Sequence, residues 1–136
     1  MIFLDTNIVI AALNDKPRAI AQEVATRASS GVDIAISSIV LFELQYGIAK
    51  SQRQELNRSK LENFLRGPVS VFDFSAEEAA IAGELRYALQ SKGTPIGSYD
   101  ILIAAHAVRH DAILVTANVR EFKRVPGLKI ENWGKW

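Results

Sequence analysis

Short apolar runs alternate with longer segments of helical periodicity along the whole chain, and this alternation limits the folds open to it. The apolar runs are Ile2–Leu4, Ile34–Ile36 and Ala112–Val115, while Val69–Phe74 alternates like a strand and Leu128–Trp133 reads as a last strand. Each is strand-length and bounded by turn-forming residues. Between them, Ile8–Leu13 and Arg18–Ala28 read as helix broken at Asn14–Pro17, and Ile39–Lys50 carries Leu41, Leu44 and Ile48 on one stripe. Arg53–Leu65 is a polar helix ended by Gly67-Pro68, and Asn118–Phe122 reads as a short helix or a loop. Serines mark helix starts at Ser37-Ser38, at Ser75 with Glu78 three residues on, and at Ser98. The helix after Ser75 runs to about Ser91, closed by Lys92–Pro95, and the helix after Ser98 runs from Tyr99 to His110. Short strands alternating with helices predict a three-layer α/β/α architecture around a mainly parallel sheet. In such sheets ligands gather at the carboxyl ends of the strands, near the switch in strand order.

A chain of 136 residues is enough for one domain, residues 1–136, and too short for two ordinary ones. With 49% hydrophobic and 23% charged residues, disorder is excluded. Lys and Arg number 16 against 15 Asp and Glu, so a net charge of +1 excludes an overall cationic wrap around nucleic acid and leaves only local contact. The absence of cysteine removes disulfides, thiolate nucleophiles and Cys-based zinc sites, and makes the cytoplasm the expected compartment. Met1–Ile10 lacks a basic leader and carries Asp5 inside its apolar run, so it resembles neither a signal peptide nor an anchor. Ile101–Val108 holds His106 and falls far below the ~20 residues that span a bilayer, so no membrane segment is expected.

Asp5 follows the first strand, Glu43 lies one turn into the helix after the second, Asp100 opens the helix before the fourth, and Asn118 follows Thr116 at that strand's end. All four map to one sheet edge. Asp5 also suits a helix cap, and Asp100 suits a helix first turn. Glu43, flanked by Phe42 and Leu44 within a helix, has no capping role. An unpaired carboxylate among large apolar residues costs several kcal/mol or becomes protonated. No Lys or Arg is a sequence neighbour of Asp5, Glu43 or Asp100, so a shared divalent cation is the economical counter-charge. Oxygen-only ligation favours Mg²⁺ or Mn²⁺. Gly47, four residues after Glu43, leaves space on the same helix face, and Thr6, Ser98 and Thr116 offer hydroxyls to orient the carboxylates or a bound water.

These residues fall in Leu4-Asp5-Thr6-Asn7, in Glu43-Leu44 with Gly47, in Gly97-Ser98-Tyr99-Asp100-Ile101-Leu102-Ile103-Ala104-Ala105, and in Thr116-Ala117-Asn118 running to Glu121-Phe122. With Gly93–Gly97 and Arg120–Leu128, the pattern resembles PIN-domain ribonucleases, and more narrowly VapC-type toxins of type II toxin–antitoxin pairs, over essentially the whole chain. The resemblance implies a PIN-like fold and a Mg²⁺- or Mn²⁺-dependent endoribonuclease with Asp5, Glu43 and Asp100 as the metal site. It also implies a cognate VapB-type antitoxin, commonly a homodimer, and structured RNA, above all tRNA, as substrate. Asn118 stands where the family often has an aspartate. Its amide can hold a metal-bound water, and Glu121 can supply a carboxylate.

Phosphodiester hydrolysis needs an activated water and stabilised charge, both of which a carboxylate-held cation supplies. A polyanionic RNA also needs cations around the acidic pocket. Lys50, Arg53, Arg58, Lys60 and Arg66 face only Glu55 and Glu62 in their segment, and Arg120, Lys123, Arg124, Lys129 and Lys135 face only Glu121 and Glu131. Lys123 and Arg124, nearest the expected site, are the first RNA-binding candidates. His106 and His110 are four apart on a helix, yet Ala107 stands where a metalloprotease has glutamate, so structural roles are expected for both. Two other functional classes remain open: an aspartate-based phosphatase using Asp5 as nucleophile, whose signature is incomplete at Asn7, and an inactive module acting by protein binding.

Overall fold

A computed structural model describes residues 1–134. Five strands, β1 (Ile2–Leu4), β2 (Ile34–Ser37), β3 (Val69–Phe72), β4 (Ile113–Val115) and β5 (Lys129–Glu131), pair in the order β3-β2-β1-β4-β5, and every pairing is parallel. The parallel sheet and its flanking helices match the expected α/β/α architecture. β1 is buried along its whole length as the central strand, whereas β3 and β5 are edge strands with exposed positions.

The helices are α1 (Thr6–Asn14), α2 (Arg18–Ser29), α3 (Ser38–Ala49), α4 (Gln54–Arg66), α5 (Ala76–Ser91), α6 (Ser98–Arg109) and α7 (Val119–Phe122). From β1 the chain steps outward to β2 and β3, then returns across β1 to reach β4. Because parallel crossovers are right-handed, this reversal puts α1 to α4 on one face and α5 with α6 on the other. The helix contacts divide accordingly, with α1 against α2, α3 and α4, and α5 against α6. The reversal also opens a crevice between the carboxyl ends of β1 and β4, the switch point where the site was expected.

The core is built from Phe3, Leu4, Ile8, Ile36, Ile103, Leu114 and Phe122, all under 2% exposed. Burying one such side chain contributes roughly 1.5–3 kcal/mol. Ser37 caps α3 by accepting the Ile39 N–H at 3.0 Å, as its position after an apolar strand predicted. Two expected caps differ in detail. Ser75 is the N-cap of α5 and pairs with Glu78 as its spacing predicted, but its hydroxyl donates to the Glu78 carboxylate and makes no capping bond to the backbone. Gly97, not Ser98, is the N-cap of α6, and it makes no side-chain bond because it has no side chain. Asn118–Phe122 resolves as the short helix α7 behind an Asn118 N-cap. Among the described residues no helix is long and apolar enough to cross a membrane. Lys135, counted above among the C-terminal cations, lies outside the described residues.

Candidate functional site

Asp5 sits where β1 ends and α1 begins. Its Oδ1 accepts the Thr6 N–H at 2.8 Å, so the residue does cap α1, and its Oδ2 accepts the Thr116 hydroxyl at 2.7 Å. Thr116 follows β4, is fully buried, and has its own Oγ1 held by the Asn118 N–H at 3.0 Å. The two central strands are thereby joined through a carboxylate that is only 6% exposed. Glu43 reaches in from α3, where its Oε1 accepts the Thr6 hydroxyl at 2.5 Å. Thr6 and Thr116 thus each donate a hydroxyl hydrogen bond to one of these carboxylates.

Asp100 lies in the first turn of α6, across the crevice from β1. Burial, then the charges of Asp5, Glu121 and Glu43, push its carboxyl from 3.8 up to about 7, with a hydrogen bond to Glu121 adding to the rise. Burial likewise holds Asp5 above the ordinary carboxylate range, against the Thr116 and Thr6 bonds that lower it, while Glu43 and Glu121 add to the rise. Glu121 on α7 behaves oppositely. The Gly97 N–H at 2.6 Å and the Asn118 amide at 2.8 Å, with Arg124 nearby, hold it below the ordinary range. The four carboxylates therefore share one electrostatic neighbourhood. Among the described residues none of Asp5, Glu43, Asp100 or Glu121 has an ion-pair partner within 4.0 Å.

The structure brings together Asp5, Glu43, Asp100, Thr6, Thr116, Asn118 and Glu121. It does not bring Ser98 among them: that side chain is exposed and borders a crevice with Arg86, Gln90 and Pro95. The geometric reason is the start of α6 at Ser98, which puts Asp100 on one side of the first turn and Ser98 on another. Asn118 also differs in detail, since its amide N–H₂ donates to Glu121 and so helps to fix that carboxylate. Gly97 was missed by sequence reasoning. A Cβ there would stand 3.1 Å from Asp100 Oδ2 and 3.6 Å from Glu121 Oε1, so glycine lets the loop approach Asp100 without pushing its carboxylate aside. The signal available was Gly97 itself, three residues before an acid in a tight loop.

Beside the acids, Ile10, Leu13, Glu43, Gly47, Lys60 and Leu61 line a groove of about 190 Å³. Nothing lies within 4 Å of where a Gly47 Cβ would be, so this glycine leaves open space and is not a packing contact. Of the cations proposed near the site, Lys123 is exposed and Arg124 is exposed with its Nη1 donating to the Pro95 carbonyl at 3.0 Å.

The donor set is all oxygen, anionic and lacking an ion-pair partner, which suits a hard divalent cation. An aspartate capable of holding its proton near neutrality is what a crowded carboxylate group shows without one. Asp5, Glu43 and Asp100 are the residues that would hold such an ion.

Comparison with known proteins agrees with this geometry. The PIN domain family matches residues 2–128. The chain is 49% identical over 132 residues to Ribonuclease VapC2 of Rickettsia felis, covering 97% of each. It is 41% identical over 130 residues to the tRNA(fMet)-specific endonuclease VapC of Salmonella typhimurium, covering 96% of each. In three dimensions it is similar to a chain in the crystal structure of VapBC2 from Rickettsia felis bound to a DNA fragment from their promoter. There the TM-score is 0.92 at 48% identity, covering 98% of this chain and 100% of that one. With the α/β/α fold, the carboxylates at its switch point and relatives aligned along nearly its full length, this chain belongs to the PIN-domain family, among the VapC ribonucleases.

Proposed function

We propose that the protein is a Mg²⁺- or Mn²⁺-dependent endoribonuclease and the toxin of a toxin–antitoxin pair, with the whole chain acting as one domain in the cytoplasm. The observation that carries this reading is the meeting of Asp5, Glu43, Asp100 and Glu121 at the β1/β4 switch point without an ion-pair partner. The names of the relatives support ribonuclease activity, and that of the Salmonella relative supports tRNA as the substrate class. A VapB-type antitoxin is supported by the solved neighbours from Rickettsia felis and Salmonella typhimurium, both of them VapBC assemblies.

Asp5, Glu43 and Asp100 would hold the ion, which when bound polarises a phosphodiester and lowers the pKa of a water. The protein's own groups do the rest. Thr116 and Thr6 fix Asp5 and Glu43 in single orientations, so no reorganisation is needed when phosphate charge develops. With the ion bound, one of the three acids would take the proton of the attacking water, and Asp100 is the one whose proton affinity in the metal-free protein is raised to about 7. Asn118 and the Gly97 N–H hold Glu121 beside Asp100, where its charge tunes that affinity. Lys123 and Arg124, exposed next to α7, would contact backbone phosphates of the RNA. Phe42 on α3 and Tyr99 on α6 are exposed and pack at 5.3 Å, with Tyr46 also exposed, giving an apolar face that supports a homodimer.

The test is incubation of the purified protein with total cellular RNA in Mg²⁺, in Mn²⁺ and with a chelator, beside Asp5→Asn and Asp100→Asn. Discrete metal-dependent fragments, lost in both variants, are expected, and sequencing their ends identifies the target. Phosphate release from small esters without RNA cleavage would instead indicate a phosphatase. Antitoxin binding with no cleavage under any condition would indicate an inactive module.

A further inference from the structure

On the α5/α6 face of the sheet, away from the crevice, three potential ligands converge that no local sequence pattern joins. Glu78 comes from the first turn of α5, and His106 and His110 stand one turn apart on α6. Their ligand atoms all lie within 4.8 Å of one another. His106 Nε2 is 3.2 Å from Glu78 Oε1, and His110 Nε2 is 3.9 Å from the same oxygen. His106 is fully buried and Glu78 is 3% exposed, yet His106 Nε2 makes no hydrogen bond.

We propose that Glu78, His106 and His110 form a second metal site, taking a borderline divalent cation of the zinc class and clamping α5 to α6. Two imidazole nitrogens and one carboxylate are the donors such an ion prefers, and magnesium does not. In His106 and Glu78 the remaining polar atoms are already committed. His106 Nδ1 lies 2.7 Å from Ser37 Oγ, the kind of contact that fixes a ligand's tautomer, and Glu78 Oε2 accepts from the Ser75 hydroxyl. With the Nδ1 proton donated to Ser37, the Nε2 lone pair faces a carboxylate oxygen in a dry interior. That arrangement is repulsive unless a cation or a proton lies between them. Phe3, Phe72 and Phe74 surround the His106 ring at 5.1, 6.4 and 5.7 Å and hold it in place. His110, with 25% of its side chain exposed, offers the route from solvent. The competing occupant is a proton on His106 Nε2, shared with Glu78.

The experiment uses chelator-treated protein carrying Asp5→Asn and Asp100→Asn, so that the carboxylate crevice contributes no binding and the outcome is independent of the nuclease reading. Titration with Zn²⁺ should show one equivalent bound, unaffected by excess Mg²⁺ and accompanied by a rise in thermal midpoint. Co²⁺ should give visible d–d absorption of a tetrahedral nitrogen–oxygen site. His110→Gln, at a partly exposed position where folding is retained, and separately Glu78→Gln should each weaken Zn²⁺ by more than the roughly 10- to 100-fold that loss of an outer partner costs. Both should remove the Co²⁺ spectrum and the thermal response. Zinc affinity unchanged in both variants would overturn the site, as would a parent protein without the Co²⁺ bands. Persistence of a His106 Nε2–H resonance in excess Zn²⁺ would equally overturn it, by showing the proton in the metal's place.

Discussion

At Asp100, burial and then crowding by like charges have a measurable thermodynamic consequence. A carboxyl lifted from 3.8 to about 7 binds its proton more tightly in the folded chain than in the unfolded one. Its contribution to stability is therefore full below the unfolded value and is lost as pH rises through the folded value. Chelated protein should lose thermal stability between about pH 4 and about pH 7, and Asp100→Asn should flatten that slope. At about 1.4 kcal/mol per pKa unit, discounted for partial solvent screening, the asparagine variant should gain on the order of 1–3 kcal/mol above neutrality. Urea titrations at several pH values check this, and an unchanged slope would refute it. Gly97 makes a second residue-scale test. A methyl group there meets Asp100 Oδ2 at 3.1 Å, so that carboxylate must give by a few tenths of an ångström. Since a misplacement of ~1 Å can cost ~100-fold in rate, this smaller shift should make Gly97→Ala lower metal-dependent RNA cleavage by roughly 3- to 5-fold. Its far-ultraviolet circular dichroism should stay unchanged.

Among the elements, the β2–α3 junction joins the two functional faces. Ser37 caps α3 through the Ile39 N–H and also meets His106 Nδ1, so one hydroxyl serves the helix that presents Glu43 and the buried imidazole behind the sheet. Ser37→Ala removes a cap worth ~1 kcal/mol and leaves a buried ring nitrogen unpartnered at ~1–3 kcal/mol. A loss of about 2–4 kcal/mol in urea unfolding is expected from these two contributions. Thr116→Val, at the end of β4, tests the corresponding link on the other side. Without the Thr116 hydroxyl, Asp5 loses a bond that lowers its proton affinity, so its carboxyl should titrate still higher by NMR. Elements were legible because the central strands are short apolar runs, β3 alternates, and most helices carry a repeating stripe, local properties that neighbours seldom overturn. Ser98 shows where this reading stops. A serine before a helix suggests a cap, but the loop tightens around Gly97 to bring its N–H to Glu121, and the helix begins one residue early.

For the molecule as a whole, the acids at the switch point repel one another in the free protein and gain a counter-charge only on binding a cation. Ligand binding to the folded state alone stabilises it by about 2.7 kcal/mol when free ligand is about 100 times Kd. Mg²⁺ or Mn²⁺ should therefore raise the thermal midpoint of the chelated protein, and a protein carrying Asp5→Asn and Asp100→Asn should be more stable without metal and indifferent to its addition. Calorimetry with and without the ion decides it. Asp5, Glu43 and Asp100 stood out as candidates in the sequence alone, because a carboxylate among large apolar residues is costly wherever it lies, and no lysine or arginine stands beside them. The alternation of strand and helix and the location of the strand ends were determined at the same level. Strand order was not, because which neighbours pair depends on how apolar faces stack between segments far apart in the chain. Only that stacking put Thr116 against Asp5 across 111 residues, Glu121 against Asp100, and Glu78 against two histidines of the next helix. Charges and hydrogen bonds act through space over a few ångströms, so tertiary structure alone decided which of these groups share a proton and which could share a metal.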